Sequence, residues 1–326
     1  MNDRLVYVSQ LAPYFEKYLE MRHSLGIKEE STAMHLRNLD KFCKNYLDTP
    51  LVLSQKLVQA WIEQRPTEKV ISQQIRIRLI RKFAKFLVEQ GKEAYILPPS
   101  KSVYQNDFKP YIFTHSEINR IFTVIDNMNC YIPSPNSYLV YPVLFRILYG
   151  CGLRISEALN LRIQDIDFKN GIITVKKGKF DKDRYVPLTD NLLSICKNYV
   201  NKVRFGAQSV DFLFPSPRLD DRSIHKHSAY SMFRKILWES GIPHQGKSKG
   251  PRLHDFRHTF AVHSLQKWIN TGVDVQCVLP ILSTYLGHKN IYATQWYLRL
   301  TAEAYPEMLE QIENTCNKIF PEVNEL

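Results

Sequence analysis

His254 and Arg257 stand three residues apart in the stretch RLHDFRHTF, and His254 and His258 stand four apart. On a helix both spacings bring the side chains to one face. Two chemistries use such a face. Imidazoles at i and i+4 can ligate a metal ion. An imidazole beside a guanidinium can instead grip a phosphate, because arginine presents a planar fork of fixed donors. The rest of the chain has to decide between them.

Three other polar clusters lie along the chain. Arg154 follows two glycines in GCGLRISE, with Glu157 three residues on. Lys179 sits between the strand-like segments GIITVKK and DRYVPL. In YLGHKNIYATQWY, His288 precedes Tyr297 by nine residues. Each has an ordinary explanation when taken alone. Arg154 and Glu157 suit an ion pair, Lys179 a turn, and His288 a cap after Gly287. Tyr297 is one of 18 tyrosines, with Tyr285, Tyr292 and Tyr305 as close competitors. The joint order R, K, H-x-x-R, H, Y is much harder to dismiss.

In this order the motifs resemble those of tyrosine recombinases, the phage-integrase family. CGLRISE is similar to the family's TGLR-x-SE, GKFDKDRYVPL to GKG-x-K-x-R-x-VPL, and HDFRHTFA to H-x-LRHTFA. LGHKNIYATQWY matches LGH followed nine residues later by tyrosine. Phe180 departs from a glycine and Phe256 from a leucine. The resemblance covers about residues 110–310 and implies a catalytic set of Arg154, Lys179, His254, Arg257, His288 and Tyr297. Lys177 and Lys182 remain rivals to Lys179. In the implied chemistry, Arg154 and Arg257 clamp the non-bridging oxygens of a phosphodiester, with His288 as a third donor. Tyr297 attacks, His254 takes its proton, and Lys179 protonates the departing 5′-oxygen. Glu157 is expected to orient Arg154, and His258 to pack or bond structurally. The product is a 3′-phosphotyrosyl enzyme that keeps the bond energy, so neither ATP, metal nor other cofactor is expected.

The resemblance further implies double-stranded DNA as substrate, a homotetramer on synapsed sites, passage through a Holliday junction, and in some systems accessory recombination proteins. The tail wording YLRLTAEAYPE resembles recombinases of transposable elements, which favours integration, excision or transposition of a mobile element. The alternatives are resolution of chromosome dimers, relaxation without partner exchange, and a catalytically idle DNA-binding relative.

These residues need elements to hold them. The chain has 326 residues, 44% hydrophobic and 23% charged, enough for two domains with cores. Mainly α architecture with a small antiparallel sheet is expected. Residues 1–91 read as a helical core-binding domain, 92–112 as a proline-containing linker, 113–300 as the catalytic domain, and 301–326 as a helix able to dock on a neighbouring subunit. The two domains are expected to form a clamp on DNA, with no further domain ahead of the first. A helix over about 67–89 should bury Ile71, Ile75, Leu79, Phe83, Phe86 and Leu87. Its Arg76, Arg78, Arg81, Lys82 and Lys85 then offer a DNA-binding face. Helices are also expected over residues 9–25 and 30–47, from Ser54, over SEALNLRIQDI, and around 190–204, 226–240, 255–270 and 274–286. Net charge is +12, with 17 basic and 12 acidic residues in 1–108 and 27 and 20 in the remainder, which suits a polyanion held between two halves. Six scattered cysteines without a C-x-x-C pair, no membrane span and no signal peptide point to the cytoplasm.

Overall fold

The computed structural model describes residues 7–27, 30–44, 46, 53–99, 109–129, 136–176, 183–204, 206–216, 222–244, 246, 250–288 and 290–305. The chain divides into two compact units, Met1–Phe108 and Lys109–Leu326. Among the described residues no helix is long and apolar enough to cross a membrane.

The first unit contains α1 (Ala12–Ser24), α2 (Glu30–Lys44), α3 (Gln55–Ile62) and α4 (Val70–Glu89). Its core gathers Phe15, Tyr18, Leu36, Leu39, Leu57, Trp61, Phe83 and Leu87. Ser54 caps α3 by accepting from the Leu57 N–H, as a serine before an apolar periodic run should. The buried Asp40 carboxylate accepts from the backbone N–H groups of Val8 and Ser9 at 2.8 and 2.9 Å, fastening the entry to α1.

The expected face of α4 is corrected. Ile71 and Ile75 are 44% and 41% exposed, whereas Ile77 and Ile80 join Leu79, Phe83, Phe86 and Leu87 in the core. Two apolar stripes compete in the first turns of this helix, and a buried ion pair decides between them. Arg76, only 4% exposed, pairs with Glu68 and donates to the carbonyl oxygens of Trp61 and Glu63 at the end of α3. Arg81 likewise donates to the Leu97 and Pro98 carbonyls. Both arginines are therefore structural ties rather than members of an open basic face. Arg78, Lys82 and Lys85 remain exposed.

The second unit begins with α5 (His115–Asp126), whose Thr114–Glu117 capping box is formed as its sequence suggests. Next come α6 (Ser137–Gly150), the short α7 (Ile155–Leu159), and a sheet of β1 (Ile166–Asp167), β2 (Ile172–Val175) and β3 (Arg184–Pro187). The sheet is antiparallel in the order β1-β2-β3, with Ile172 opposite Pro187 and Val175 opposite Arg184. Among the described residues five helices follow: α8 (Asp190–Val203), α9 (Lys226–Glu239), α10 (Asp255–Asn270), α11 (Val275–Leu286) and α12 (Tyr292–Ala304). The architecture is mainly helical with a small antiparallel sheet. The ends of the expected linker belong to the units themselves. Tyr95 and Leu97 pack on the first core, and Tyr111 and Phe113 on the second.

One expected helix, SEALNLRIQDI, is much shorter. It ends at Leu159, and residues 161–167 turn into a 3₁₀ step and β1. Tertiary backbone pairing replaces the helical ladder there: Leu213 donates to Leu161, and Ile163 to Asp211. Helix α10 is the centre of the unit. Phe256 faces the main core and Ala261, Val262 and Leu265 a second core with α11 and α12. A helix buried on opposite flanks leaves little room for polar side chains without partners, and α10 carries His254 at its cap, then Asp255, Arg257 and His258.

Candidate active site

Arg154 is the N-cap residue of α7, and its position depends on the turn before it. Gly152 adopts φ +57°, and a Cβ there would lie 2.6 Å from Phe260 Cδ1. Only glycine fits both demands. The turn aims the Gly152 carbonyl at Arg257, which donates to it at 2.8 Å. A second left-handed glycine closes α11: Gly287, at φ 66°, ψ 48°, turns the chain so that His288 N–H bonds back to Ser283. Arg257 also donates to the Leu286 carbonyl at this helix end. Helix C-termini leave carbonyls unsatisfied and carry partial negative charge, so a cation is well placed there.

Arg257 is 1% exposed, its described hydrogen bonds go to backbone carbonyls rather than a carboxylate, and its charge is close enough to the Tyr297 hydroxyl to favour ionisation there. Burial, followed by the repulsion of Arg154, lowers its pKa to about 10. Arg154 is more open, with a side chain 21% exposed, and it pairs with Glu157 at 2.7 Å. Arg184, at the start of β3, joins the same carboxylate at 2.8 Å. Burial alone would raise the Glu157 carboxyl, but Arg184 and then Arg154 hold it at about 2. Two guanidiniums thus hold one firmly ionised carboxylate, and the third, Arg257, has no carboxylate among its described hydrogen-bond partners, which leaves a cationic pocket.

Tyr297 lies on α12 and is 2% exposed. Its hydroxyl is 3.0 Å from Nδ1 of His258. Burial raises the phenol pKa, against the pull of Arg257 and Arg154. The His258 imidazole is pushed down to about 3, first by desolvation and then by His254 and Arg257, so it is neutral near pH 7. The sequence assigns the proton of Tyr297 to His254 and expects His258 to pack or bond structurally. The structure places His258 on the hydroxyl, while His254 packs edge-on against His258 with ring centroids 4.7 Å apart. His254 keeps an exposed edge at the pocket mouth, yet desolvation, Arg257 and Arg154 lower its pKa to about 4. His288 is lowered to about 4 by desolvation, Arg257 and Arg154. Its Nδ1 lies 2.8 Å from the hydroxyl of the buried Thr294, and its ring stands parallel to that of Tyr297 at 6.1 Å.

Arg154, His254, Arg257, His258, His288 and Tyr297 therefore converge, with Glu157 behind Arg154. Tyr292, one of the three sequence competitors for Tyr297, is 72% exposed. Lys179 and its rivals Lys177 and Lys182 lie outside the described residues, as do residues 306–326 of the tail. Thr301 is buried in α12. Arg184 and Thr294 carried no role in the sequence reading. Arg184 stands in the DRYVPL motif, five positions after Lys179, and that was its only signal. Among the described residues no three His, Cys, Asp or Glu side chains gather as a metal site would.

Comparison with known proteins identifies relatives of the chain and of its fold. Residues 112–304 match the model of the phage integrase family. A putative integrase/recombinase, y4rB, of Sinorhizobium fredii is 33% identical over 307 residues, covering 91% of this chain and 95% of the relative. The tyrosine recombinase XerA of Pyrococcus furiosus is 30% identical over 204 residues, 62% of each protein. Among solved structures, XerH site-specific recombinase bound to its difH substrate after cleavage superposes with TM-score 0.63 at 20% identity, over 85% of this chain and 77% of that one. The Tn1549 transposon integrase with circular intermediate DNA gives 0.62 at 19% identity, over 91% and 99%.

Proposed function

The chain belongs to the phage integrase family and is a site-specific recombinase of the tyrosine class, and we propose that Tyr297 cleaves and rejoins DNA strands in the pocket of Arg154, Arg257 and His288. One observation carries this reading: the buried Arg257 guanidinium, whose described partners are uncharged, lies beside the Tyr297 hydroxyl. A buried cation without a carboxylate is costly, and an anionic phosphodiester offsets that cost. Arg154, Arg257 and His288 bind the non-bridging oxygens, where charge grows as Tyr297 attacks phosphorus. Removing one such preorganised donor lowers the rate by about 10²–10³. His258 Nδ1, 3.0 Å from the attacking hydroxyl, is placed to take its proton in the tautomer that leaves Nδ1 bare, as the cations of the pocket ease ionisation of the phenol, with His254 packed beside it. By its place in the motif, Lys179 protonates the 5′-oxygen as the 3′-phosphotyrosyl bond forms. Reversal with a partner strand's 5′-hydroxyl completes exchange, and no ATP enters.

The DNA is held by both units, in a homotetramer passing through a Holliday junction, with accessory proteins where the site requires them. The biological task is movement of a mobile element, which the tail motif favours; chromosome-dimer resolution uses the same chemistry. The protein acts in the cytoplasm.

The test is covalent trapping on nicked duplex prepared from DNA flanking the gene. Wild type forms a denaturation-resistant adduct in excess chelator, and Tyr297→Phe forms none. An adduct that persists in Tyr297→Phe and vanishes in Tyr292→Phe moves the nucleophile to Tyr292. An adduct abolished by chelator overturns the metal-free chemistry. Exchange between two sites on one plasmid then separates recombination from relaxation.

A further inference from the structure

The Glu157 carboxylate receives four donors. Oε1 accepts from Arg154 Nη1 at 2.7 Å and Arg184 Nη1 at 3.1 Å. Oε2 accepts from the Arg154 backbone N–H at 2.8 Å and Arg184 Nη2 at 2.8 Å. An ionised carboxylate offers about four lone-pair sites, so this one is saturated. The side chains of Arg184 and Glu157 are 8% and 7% exposed, against 21% for Arg154. The inner arginine therefore holds the acid, and the outer one faces the pocket.

Arg184 also reaches the other side of the site. Its Nε donates to the Tyr285 carbonyl at 2.9 Å. Its Cδ and Nη1 lie 3.1 and 3.2 Å from where a Cβ on Gly287 would be, directly beneath the turn that presents His288. One rigid guanidinium thus links β3, the first turn of α7 and the end of α11. Lysine, a point charge on a flexible stem, cannot make the three connections at once.

We propose that Arg184 is a positioning residue of the cleavage reaction, acting through Glu157 to keep Arg154 available to the phosphate. The physical reason is competition for one carboxylate. With Arg184 in place, Glu157 takes two of its donors from the fork and its charge is answered from behind, so Arg154 keeps cationic charge for the substrate. Without Arg184, Glu157 has Arg154 as its sole side-chain partner. The two then collapse into a neutral pair and the outward donors of Arg154 are lost. This inference rests on the recombinase reading above.

The experiment measures single-turnover cleavage of a nicked duplex that wild type converts to the Tyr297 adduct, by wild type, Arg184→Ala, Arg184→Lys, Arg154→Ala and the Arg154→Ala/Arg184→Ala double variant. A second duplex carries a methylphosphonate at the scissile linkage, which has no negative charge to clamp. Arg184→Ala is expected to cleave the phosphate about 10–100-fold more slowly, somewhat less than loss of a direct donor, with DNA affinity within about 3-fold. Arg184→Lys falls between. On the methylphosphonate, Arg184→Ala and wild type converge, and in the Arg154→Ala background the second substitution adds less than about 3-fold. A strut that merely stabilises the fold lowers both linkages alike and multiplies with Arg154→Ala; either result overturns the proposal, as does an unchanged Arg184→Ala rate. If Arg184→Ala melts below the assay temperature, Arg184→Lys is read by the same two comparisons. A duplex that wild type itself fails to cleave, with specific binding intact, overturns the recombinase reading instead.

Discussion

At the scale of single residues, two positions define how the site differs from what residue types alone suggest. Three histidines stand near Tyr297, and spacing along the chain does not tell which meets the hydroxyl. His254 caps α10, whereas His258 lies one turn inside it, and the packing of α12 on α10 sets His258 Nδ1 at 3.0 Å from the phenol. Gly152 is the other. Its positive φ and its 2.6 Å clearance to Phe260 leave no space for a methyl group. Gly152→Ala is expected to lose about 2–4 kcal/mol, combining left-handed strain with overpacking. It also shifts the carbonyl that receives Arg257, so adduct formation should fall even in variant protein that remains folded. Chemical denaturation and trapping on one preparation measure both; stability within 0.5 kcal/mol of wild type, about the range of neutral surface changes, would refute the packing account.

At the scale of elements, α4 divides its cations into two kinds. Arg76→Ala leaves Glu68 and the α3 carbonyls without their partner, and should destabilise the first unit by about 3 kcal/mol, as loss of one member of a buried pair does. Arg78, Lys82 and Lys85 project from the exposed side, and neutralising all three should leave stability within about 0.5 kcal/mol. If this face lies on DNA, the triple change lowers the slope of log affinity against log salt by about 2–3, one phosphate contact being worth about 0.9. An unaltered slope removes α4 from the interface. The expected apolar stripe failed at Ile71 and Ile75 because periodicity offers two stripes there. The choice falls to Arg76, a residue that a pattern of apolar positions does not read.

At the scale of the molecule, the +12 charge and four histidines whose pKa values are lowered in the fold govern the response to pH. His254, His258, His263 and His288 are held at about 4, 3, 4 and 4 when folded, each with desolvation as the first cause. An unfolded histidine titrates near 6.5, so below that value the unfolded chain binds more protons than the native one. Stability is full above about pH 6.5 and falls as pH drops toward 4. Asp255 acts with opposite sign, since burial raises it to about 6 and its contribution is lost as pH rises through that value. With four histidines against one carboxyl, the melting temperature is expected to be flat from pH 8 to 7 and to drop between pH 6 and 4.5. A rise over that interval would mean that these imidazoles are not neutral in the native protein.

The sequence by itself determined which chemical groups this protein holds, because nucleophile, guanidinium and imidazole are properties of residue type, and their order along the chain is printed in it. It also determined the hairpin of β2 and β3 and the capped starts of α3 and α5, whose signals are local. The tertiary structure alone decided which stripe of α4 is buried, where α7 stops, that His258 rather than His254 meets Tyr297, and that Arg184 shares Glu157 with Arg154. Those outcomes depend on groups far apart in sequence competing for one carboxylate, one carbonyl or one strand partner, and such competition has no spacing for a sequence to display.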